Sequence, residues 1–216
     1  MRTKEIEIAK RKLRLSNLQR EVLIGLILGD GHLEKSTNKQ TYRLKVSHSI
    51  KQRKYVNWLE NVWKNWLHTP PRIRDKVSPY SGKKIKVVEF ATYSHGAFRF
   101  YYHEFYGRDN HKRIPDLIKK LLTPLGLAVW FMDDGSWKSK HHQTYIIHTD
   151  SRPKNDLRKL QKVLLEKFDV DTSLHKQYGG WRIYIKTISA QKFKNLIWRY
   201  VIPSMRYKLD NTLPKE

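Results

Sequence analysis

Two continuous apolar segments of the chain each end in Asp-Gly. The first reads LIGLILGDG over residues 23–31, and the second reads LAVWFMDDG over residues 127–135. Polar and turn residues precede them, Ser16-Asn17 in one case and Thr123-Pro124 in the other, and such residues are typical of helix starts. Because apolar positions surround these helices instead of forming one stripe, we expect both helices to be buried on most sides.

The segments that follow each apolar helix also correspond. Each half continues with a strand-like stretch, a basic amphipathic helix, further strands and an Ile-Pro pair. These segments are 41–49, 51–67, 84–94 and Ile114-Pro115 in the first half, and 144–151, 152–168, 181–189 and Ile202-Pro203 in the second. Paired strands with helices to one side predict an α+β fold. We therefore divide the chain into two αββαββα repeats, residues 1–122 and 123–216.

Composition narrows the class of partner. The 216 residues include 44 Lys and Arg against 20 Asp and Glu, a formal net charge of +24. Such a chain repels itself, which indicates a polyanionic partner, nucleic acid first and an anionic membrane second. A hydrophobic content of 39% excludes a disordered basic tail. The absence of cysteine excludes disulfides, thiolate metal sites and thiol nucleophiles.

The hydropathy pattern predicts no membrane segment. The longest apolar runs, 22–28 and 126–132, have seven residues each, whereas a bilayer-spanning helix needs about 20. The N-terminal residues lack the apolar core of a secretion signal, and Glu5 and Glu7 disfavour a transit peptide. We therefore expect no membrane partner, no secretion, and synthesis in the compartment where the protein works.

The acid of each Asp-Gly is the main candidate for chemistry. A single Asp-Gly after an apolar helix is most often a helix stop, with the glycine at positive φ. Two such helices packed side by side would bring Asp30 and Asp134 together at the negative ends of two helix dipoles. Mg²⁺ prefers oxygen ligands, would neutralise such a pair, and could activate water at a phosphodiester. The doubled pattern therefore favours a metal-dependent nuclease.

These two segments resemble the signature helices of LAGLIDADG homing endonucleases, in the single-chain branch with two motifs. WFMDDG at 130–135 and IPSMRYKLDN at 202–211 are especially similar to the mitochondrial omega-intron type of the family. The resemblance covers nearly the whole chain, residues 16–212. It implies two pseudo-symmetric halves with saddle-shaped antiparallel sheets, packed through the helices 18–29 and 124–133.

The resemblance implies sequence-specific cleavage of double-stranded DNA at a long, nearly asymmetric site, leaving short 3′ overhangs. It implies a monomer with Mg²⁺ as cofactor, and Mn²⁺ or Ca²⁺ is expected to substitute in binding. Intron mobility and an organellar location, in a mitochondrion or chloroplast, follow if the chain is intron-encoded. Two alternatives stay open: an RNA maturase that assists splicing of its host group I intron, and a non-catalytic DNA-binding regulator.

The resemblance also assigns the metal ligands. Asp30 and Asp134 would bind the metal through their carboxylates. The residues before them, Gly29 and Asp133, would offer backbone carbonyls to the metal site. Gly25 would allow the two helices to approach closely.

The resemblance further implies that a basic residue near each Ile-Pro lines the catalytic centre. Alignment of HKRIP with MRYKL identifies these residues as Lys112 and Lys208. A phosphate contact or simple solvation is the alternative for both lysines.

Strand parity indicates the DNA-reading surface. Alternate residues of a strand share a face, and long basic side chains on one face suit the major groove, where Arg and Lys read guanine edges. A solvated strand face is the alternative. The DNA-binding candidates are Arg43, Lys45, Ser47, Arg72, Arg74, Lys76, Lys84, Lys86, Lys138, Lys140, Arg182, Tyr184 and Lys186.

Overall fold

Eight helices and eight strands make up the regular structure of the computed structural model, which describes residues 2–37, 40–78, 81–107, 109–139 and 141–210. The helices are α1 (Arg2–Arg11), α2 (Asn17–Leu28), α3 (Arg53–Trp63), α4 (Arg99–Phe105), α5 (Ile118–Leu121), α6 (Pro124–Asp134), α7 (Lys154–Phe168) and α8 (Thr187–Ile197). The strands are β1 (His32–Lys35), β2 (Tyr42–Ser49), β3 (Arg72–Val77), β4 (Lys84–Ala91), β5 (Gly135–Trp137), β6 (Tyr145–Ile147), β7 (Thr172–Gln177) and β8 (Gly180–Ile185). Short 3-10 helices cover Ile50–Gln52, Lys64–Trp66, Gly96–Phe98, Trp198–Tyr200 and Pro203–Leu209.

The strands form two four-stranded antiparallel sheets with the same connectivity. The first sheet has the order β1-β2-β4-β3 and the second the order β5-β6-β8-β7. Adding four to each strand number of the first order gives the second, so the internal repeat and the α+β class are confirmed. Among the described residues, no helix combines the length and apolar character that crossing a membrane requires.

By its contacts the chain divides into two compact units. The first contains the residues up to Arg20 together with Asp30–Tyr102, and the second contains Glu21–Gly29 together with the residues from His103 onward. Helix α2 therefore contributes its first turn to one unit and the rest of its length to the other. The boundary between residues 122 and 123 divides the two sequence repeats, and it stays a prediction.

The first unit begins α2 with a capping box, as the polar residues before this helix predict. The Ser16 amide donates to Gln19 Oε1 at 3.0 Å, and the Gln19 amide donates to Ser16 Oγ at 3.2 Å. Trp66 Nε1 also donates to Gln19 Oε1, at 3.2 Å. Trp63 and Trp66 are fully buried, so these residues of the basic helical segment belong to the core.

The second unit is built around α6. Thr123 caps this helix by accepting a hydrogen bond from the Gly126 amide, and Pro124 occupies its first turn. The core-facing part of α2 packs against α6 so closely that a Cβ on Gly25 would lie 2.5 Å from Val129 Cβ. The predicted burial of both apolar helices and the predicted role of Gly25 are thus confirmed.

Candidate active site and nucleic-acid interface

The carbonyl end of α2 is held by a lysine. Lys112 Nζ donates to the carbonyl oxygen of Gly29 at 2.7 Å, and Gly29 directly precedes Asp30 in the chain. The last carbonyls of a helix carry partial negative charge, so the ammonium group stabilises this end. The structure therefore brings together Gly29 and Lys112, which the resemblance had assigned to the metal site and to the catalytic centre.

The carbonyl end of α6 is held in the same way. Lys208, in the 3-10 helix Pro203–Leu209, donates through Nζ to the carbonyl oxygens of Met132 and Asp133 at 2.6 and 2.7 Å. Asp133 directly precedes Asp134. Each predicted lysine thus contacts the carbonyl that precedes the acid of one motif.

The carboxylate of Asp134 is oriented by its own helix. Trp130, one turn earlier, donates through Nε1 to Asp134 Oδ2 at 3.2 Å. The Asp134 carbonyl accepts from the His148 amide at 3.0 Å, which connects the end of α6 to the strand region that follows β6. Asp134 is half-buried, so its carboxylate is held in place while part of it stays accessible.

Arg152 is a buried cation that the sequence reasoning missed. Its Nη2 donates to the carbonyl oxygens of Leu28 and Ile27, the latter at 3.4 Å, at the end of α2. Burial lowers the pKa of Arg152, whereas the nearby charge of Asp134 raises it. Within the described part of the chain, Nη1 has no hydrogen-bond partner. An arginine at the start of a basic helix gives no sequence signal of such a role.

In the first unit, Asp30 lies beside a histidine. His48 Nδ1 is 3.4 Å from Asp30 Oδ2, and the His48 side chain is only 1% exposed against 49% for Asp30. His48 lies on β2, and its ring packs edge-on against Tyr55. The sequence reasoning also missed His48, because strand parity alone does not set this histidine apart from the neighbouring residues of the strand.

Gly29 allows the end of α2 to approach the side chain of Asp133. A Cβ at position 29 would lie 2.5 Å from both Cβ and Oδ2 of Asp133. Asp133 itself is only 8% exposed. A larger residue at position 29 would displace this carboxylate.

The donor atoms of each motif fit a hard divalent cation. Each motif offers one carboxylate and one backbone carbonyl, and oxygen is the ligand type that Mg²⁺ prefers. A carbonyl oxygen has two lone pairs, so the carbonyls of Gly29 and Asp133 retain an acceptor site beside the lysine that each binds. Metal binding by Asp30, Asp134, Gly29 and Asp133 stays a prediction.

One face of the first sheet collects basic side chains. The register places Glu34 opposite Arg43, and Glu89 opposite both Ser47 and Arg72. Six predicted DNA-binding residues share this face: Arg43, Lys45, Ser47, Arg72, Arg74 and Lys76. Lys84 and Lys86 alternate with the residues of that face and lie on the opposite side of β4. DNA contact by these eight residues stays a prediction.

Two acidic residues, Glu34 and Glu89, lie among those basic side chains. Glu34 binds Arg43 Nη2 at 2.8 Å and Lys45 Nζ at 3.1 Å. Partial burial raises the pKa of Glu34, but hydrogen bonds from Arg43, Lys45 and His32 outweigh this effect and lower the pKa to about 2. The sequence reasoning considered only the basic residues of these strands and so missed the acids.

The second sheet also has a face with basic side chains. Arg182 Nε donates to both carboxylate oxygens of Asp150, at 2.8 and 3.1 Å, and Nη1 donates to Gln177 at 2.8 Å. Lys186 pairs with Asp171 at 2.7 Å, and Lys138 Nζ is 5.3 Å from the ring centroid of Tyr184. Lys140 lies outside the described residues.

The chain is similar in sequence to a known protein family and to individual known proteins. The LAGLIDADG DNA endonuclease family matches residues 20–193. The chain is 32% identical over 201 residues to the probable intron-encoded endonuclease 1 of Wickerhamomyces canadensis, covering 90% of this chain and 85% of that protein. It is 29% identical over 203 residues to cytochrome b mRNA maturase bI2 of Saccharomyces cerevisiae, covering 89% of this chain and 47% of that protein.

A solved structure is also similar. The homing endonuclease I-WcaI, bound to its DNA recognition sequence, matches with a TM-score of 0.86 at 29% sequence identity. The match covers 94% of this chain and 91% of that one.

Proposed function

This chain belongs to the LAGLIDADG DNA endonuclease family, and on that premise we propose that it is a homing endonuclease that cuts both strands of DNA at one long, nearly asymmetric site. The observation that carries the proposal is the contact of Lys112 and Lys208 with the carbonyls before Asp30 and Asp134. A helix stop alone needs neither lysine, whereas a phosphodiesterase site needs acids and cations at fixed positions.

The chemistry is divided between the metal and the side chains. A divalent cation, when bound, activates water and stabilises the charge that develops on the phosphodiester. Asp30 and Asp134 supply the carboxylates that bind it, and Trp130 fixes the orientation of Asp134. Lys112 and Lys208 keep their ammonium groups beside the two motifs, where preorganised positive charge stabilises a developing negative charge.

The partner is double-stranded DNA. The net charge of +24 attracts a polyanion over a long range. The basic faces of the two sheets supply side chains suited to phosphates and guanine edges. One chain carries both motifs, so a monomer is sufficient for cleavage of both strands.

We further propose Mg²⁺ as the physiological metal, with Mn²⁺ or Ca²⁺ able to support binding. The products carry short 3′ overhangs. An intron-encoded origin and an organellar location complete the proposal, and the similarity to a probable intron-encoded endonuclease supports the first of these.

Cleavage of a randomised duplex library tests the proposal. The purified chain is incubated with the library and Mg²⁺, the new ends are sequenced, and a variant carrying both Asp30→Asn and Asp134→Asn serves as the control. We expect one enriched site with short 3′ overhangs that the double variant does not produce. Absence of enriched ends from folded protein that still binds DNA would contradict the proposal.

The second candidate is an RNA maturase, favoured by the similarity to cytochrome b mRNA maturase bI2 over 89% of this chain. In that case host intron RNA is a partner, and splicing does not depend on the two acids. Retained splicing assistance by the Asp30→Asn and Asp134→Asn variant would identify this function, alone or beside DNA cleavage.

A further inference from the structure

The basic face of the first sheet contains two carboxylates where a DNA-binding surface gains nothing from negative charge. Glu34 lies on β1 and Glu89 on β4, both on the face of the predicted DNA-binding cations. Their side chains are 28% and 18% exposed, and Oε2 of Glu89 is itself buried. Each carboxylate repels phosphate, and its presence in a chain of charge +24 needs a reason.

Glu34 holds two long cationic side chains at once. Its Oε2 accepts from Arg43 Nε at 2.9 Å and pairs with Nη2 at 2.8 Å, and its Oε1 accepts from Lys45 Nζ at 3.1 Å. Arg43 is thus held by two atoms of its planar guanidinium group, which fixes the direction of the fork.

Glu89 forms ion pairs with two cations on the other side of β2. Its Oε2 pairs with Lys76 Nζ at 2.6 Å, and its Oε1 lies 3.4 Å from Arg74 Nε. Lys76 also donates to Ser47 Oγ at 3.1 Å. All three partners of this cluster are residues predicted to contact DNA.

Orientation matters more for base readout than for phosphate binding. A phosphate accepts a cation from many directions, whereas an arginine reads guanine only with its fork in the plane of the base edge. Free Lys and Arg side chains lose much rotamer freedom when they are ordered. A carboxylate that already orders these side chains reduces the entropy lost when they bind the specific site. Its negative charge also lowers the attraction to all other DNA.

We propose that Glu34 and Glu89 are positioning residues for sequence discrimination, which weaken general DNA binding while fixing Arg43, Lys45, Arg74 and Lys76 for base readout. This inference rests on the proposed function, because it needs a preferred DNA site. The inference concerns how the preferred DNA site is distinguished from other DNA, and it is independent of how the strands are cut.

The test compares Glu34→Gln and Glu89→Gln, both isosteric changes, with the wild type. Dissociation constants are measured for the preferred duplex and for a scrambled duplex, with Ca²⁺ in place of Mg²⁺. Glu166→Gln is the matched control, because Glu166 also pairs with two lysines, Lys119 and Lys162, but lies on α7 and outside the sheets. Library selection with each variant gives the base preference at every position.

We expect each sheet variant to bind the scrambled duplex about three times more tightly than the wild type does. The ratio of the scrambled to the preferred dissociation constant should fall about tenfold, which is roughly the effect of losing one base-pair contact. The control should tighten both duplexes equally and keep the ratio. Unchanged ratios in both sheet variants, with a wild type that discriminates, would overturn this inference alone. A wild type with no preferred site would overturn the proposed function, and this inference with it.

A double-variant comparison separates positioning from direct contact. A carboxylate can itself accept a hydrogen bond from the amino group of cytosine. If Glu34 acts through its cations, Glu34→Gln adds no further loss of discrimination when Arg43→Ala and Lys45→Ala are already present. A further loss, confined to cytosine positions, would replace positioning by direct readout and overturn the inference.

Discussion

At the scale of single residues, the proposed catalytic role of Lys112 and Lys208 is open to a direct test. Lys208 contacts two carbonyls at the end of α6 and lies in the 3-10 helix Pro203–Leu209. Its ammonium group is therefore fixed beside the second motif before any ligand binds. Such preorganised charge contributes to the rate and little to affinity.

We predict that Lys208→Met lowers the cleavage rate constant about 10²–10³-fold, the usual cost of removing one preorganised donor. Binding of the preferred duplex should change by only a few fold, because one cation among many is lost. The measurement is single-turnover cleavage beside equilibrium binding. Lys162→Met, at a side chain 73% exposed on α7, is the control and should leave the rate unchanged. Equal small effects of both variants would mean that Lys208 is an ordinary solvated lysine.

The carboxyl of Glu34 makes a second residue-scale prediction. Its pKa is lowered from 4.5 to about 2 in the folded protein. A lowered carboxyl pKa contributes stability above the unfolded pKa, and that contribution is lost as the pH falls from about 4.5 towards 2. We predict a titration midpoint below pH 3 by NMR of the side-chain carboxyl, and a smaller acid sensitivity in Glu34→Gln. A midpoint near 4.5 would show that the cluster with Arg43 and Lys45 does not form in solution.

At the scale of elements, the contact of α2 with α6 depends on a missing side chain. We predict that Gly25→Ala destabilises the protein by about 1–3 kcal/mol, the cost of overpacking, because the new Cβ would lie 2.5 Å from Val129 Cβ. Thermal or denaturant unfolding measures this change. Gly96→Ala is the control, because a Cβ there meets no atom within 4 Å. Equal stability of the two variants would contradict the close packing.

A buried ion pair anchors the element that carries Lys208. Lys194 Nζ contacts Asp210 Oδ1 at 2.7 Å, with side-chain exposures of 4% and 18%, and the Asp210 amide closes the 3-10 helix on the Arg206 carbonyl. We predict that Asp210→Asn costs about 3 kcal/mol in unfolding free energy, since it leaves a buried cation without its counter-charge. Asp116→Asn removes half of the exposed pair with Lys159 and should cost below about 1 kcal/mol. Comparable losses in both variants would contradict the anchoring role.

The elements were largely predictable from sequence, because their signals are local. Continuous apolar runs and helix starts predict α2 and α6, and the strand-like stretches predict β2, β4, β6 and β8. Boundaries follow finer geometry: the predicted helix 51–67 ends as α3 at Trp63 and continues as a 3-10 turn, and the predicted helix 152–168 begins after Pro153.

The candidate site residues were assigned from the resemblance to the family. The same resemblance pointed to a lysine near each Ile-Pro, and the alignment of HKRIP with MRYKL identified it as Lys112 and Lys208. Arg152 was missed, because its partners are carbonyls at positions 27 and 28, far away in the sequence. Glu34 and Glu89 were missed for a related reason. Their ion-pair partners lie on neighbouring strands, and only the strand register shows which residues are neighbours.

At the scale of the whole molecule, the net charge of +24 sets the response to salt. Each neutralised phosphate contributes a slope of about −0.9 to log K against log salt concentration. We predict a slope of about −5 or steeper for the preferred duplex, and the same slope in the Asp30→Asn variant, because a carboxylate neutralises no phosphate. A slope near −1 would contradict the assignment of the basic faces to DNA.

The central claim is that Asp30 and Asp134 serve cleavage and not folding or DNA affinity. The most direct test measures cleavage and binding of the selected duplex in parallel for wild type, Asp30→Asn and Asp134→Asn, with Mg²⁺ for cleavage and Ca²⁺ for binding. We predict that each single variant loses double-strand cleavage by at least about 10³-fold while its dissociation constant stays within a few fold of the wild type. Wild-type cleavage rates in either variant would contradict the claim and leave that Asp-Gly as a helix stop.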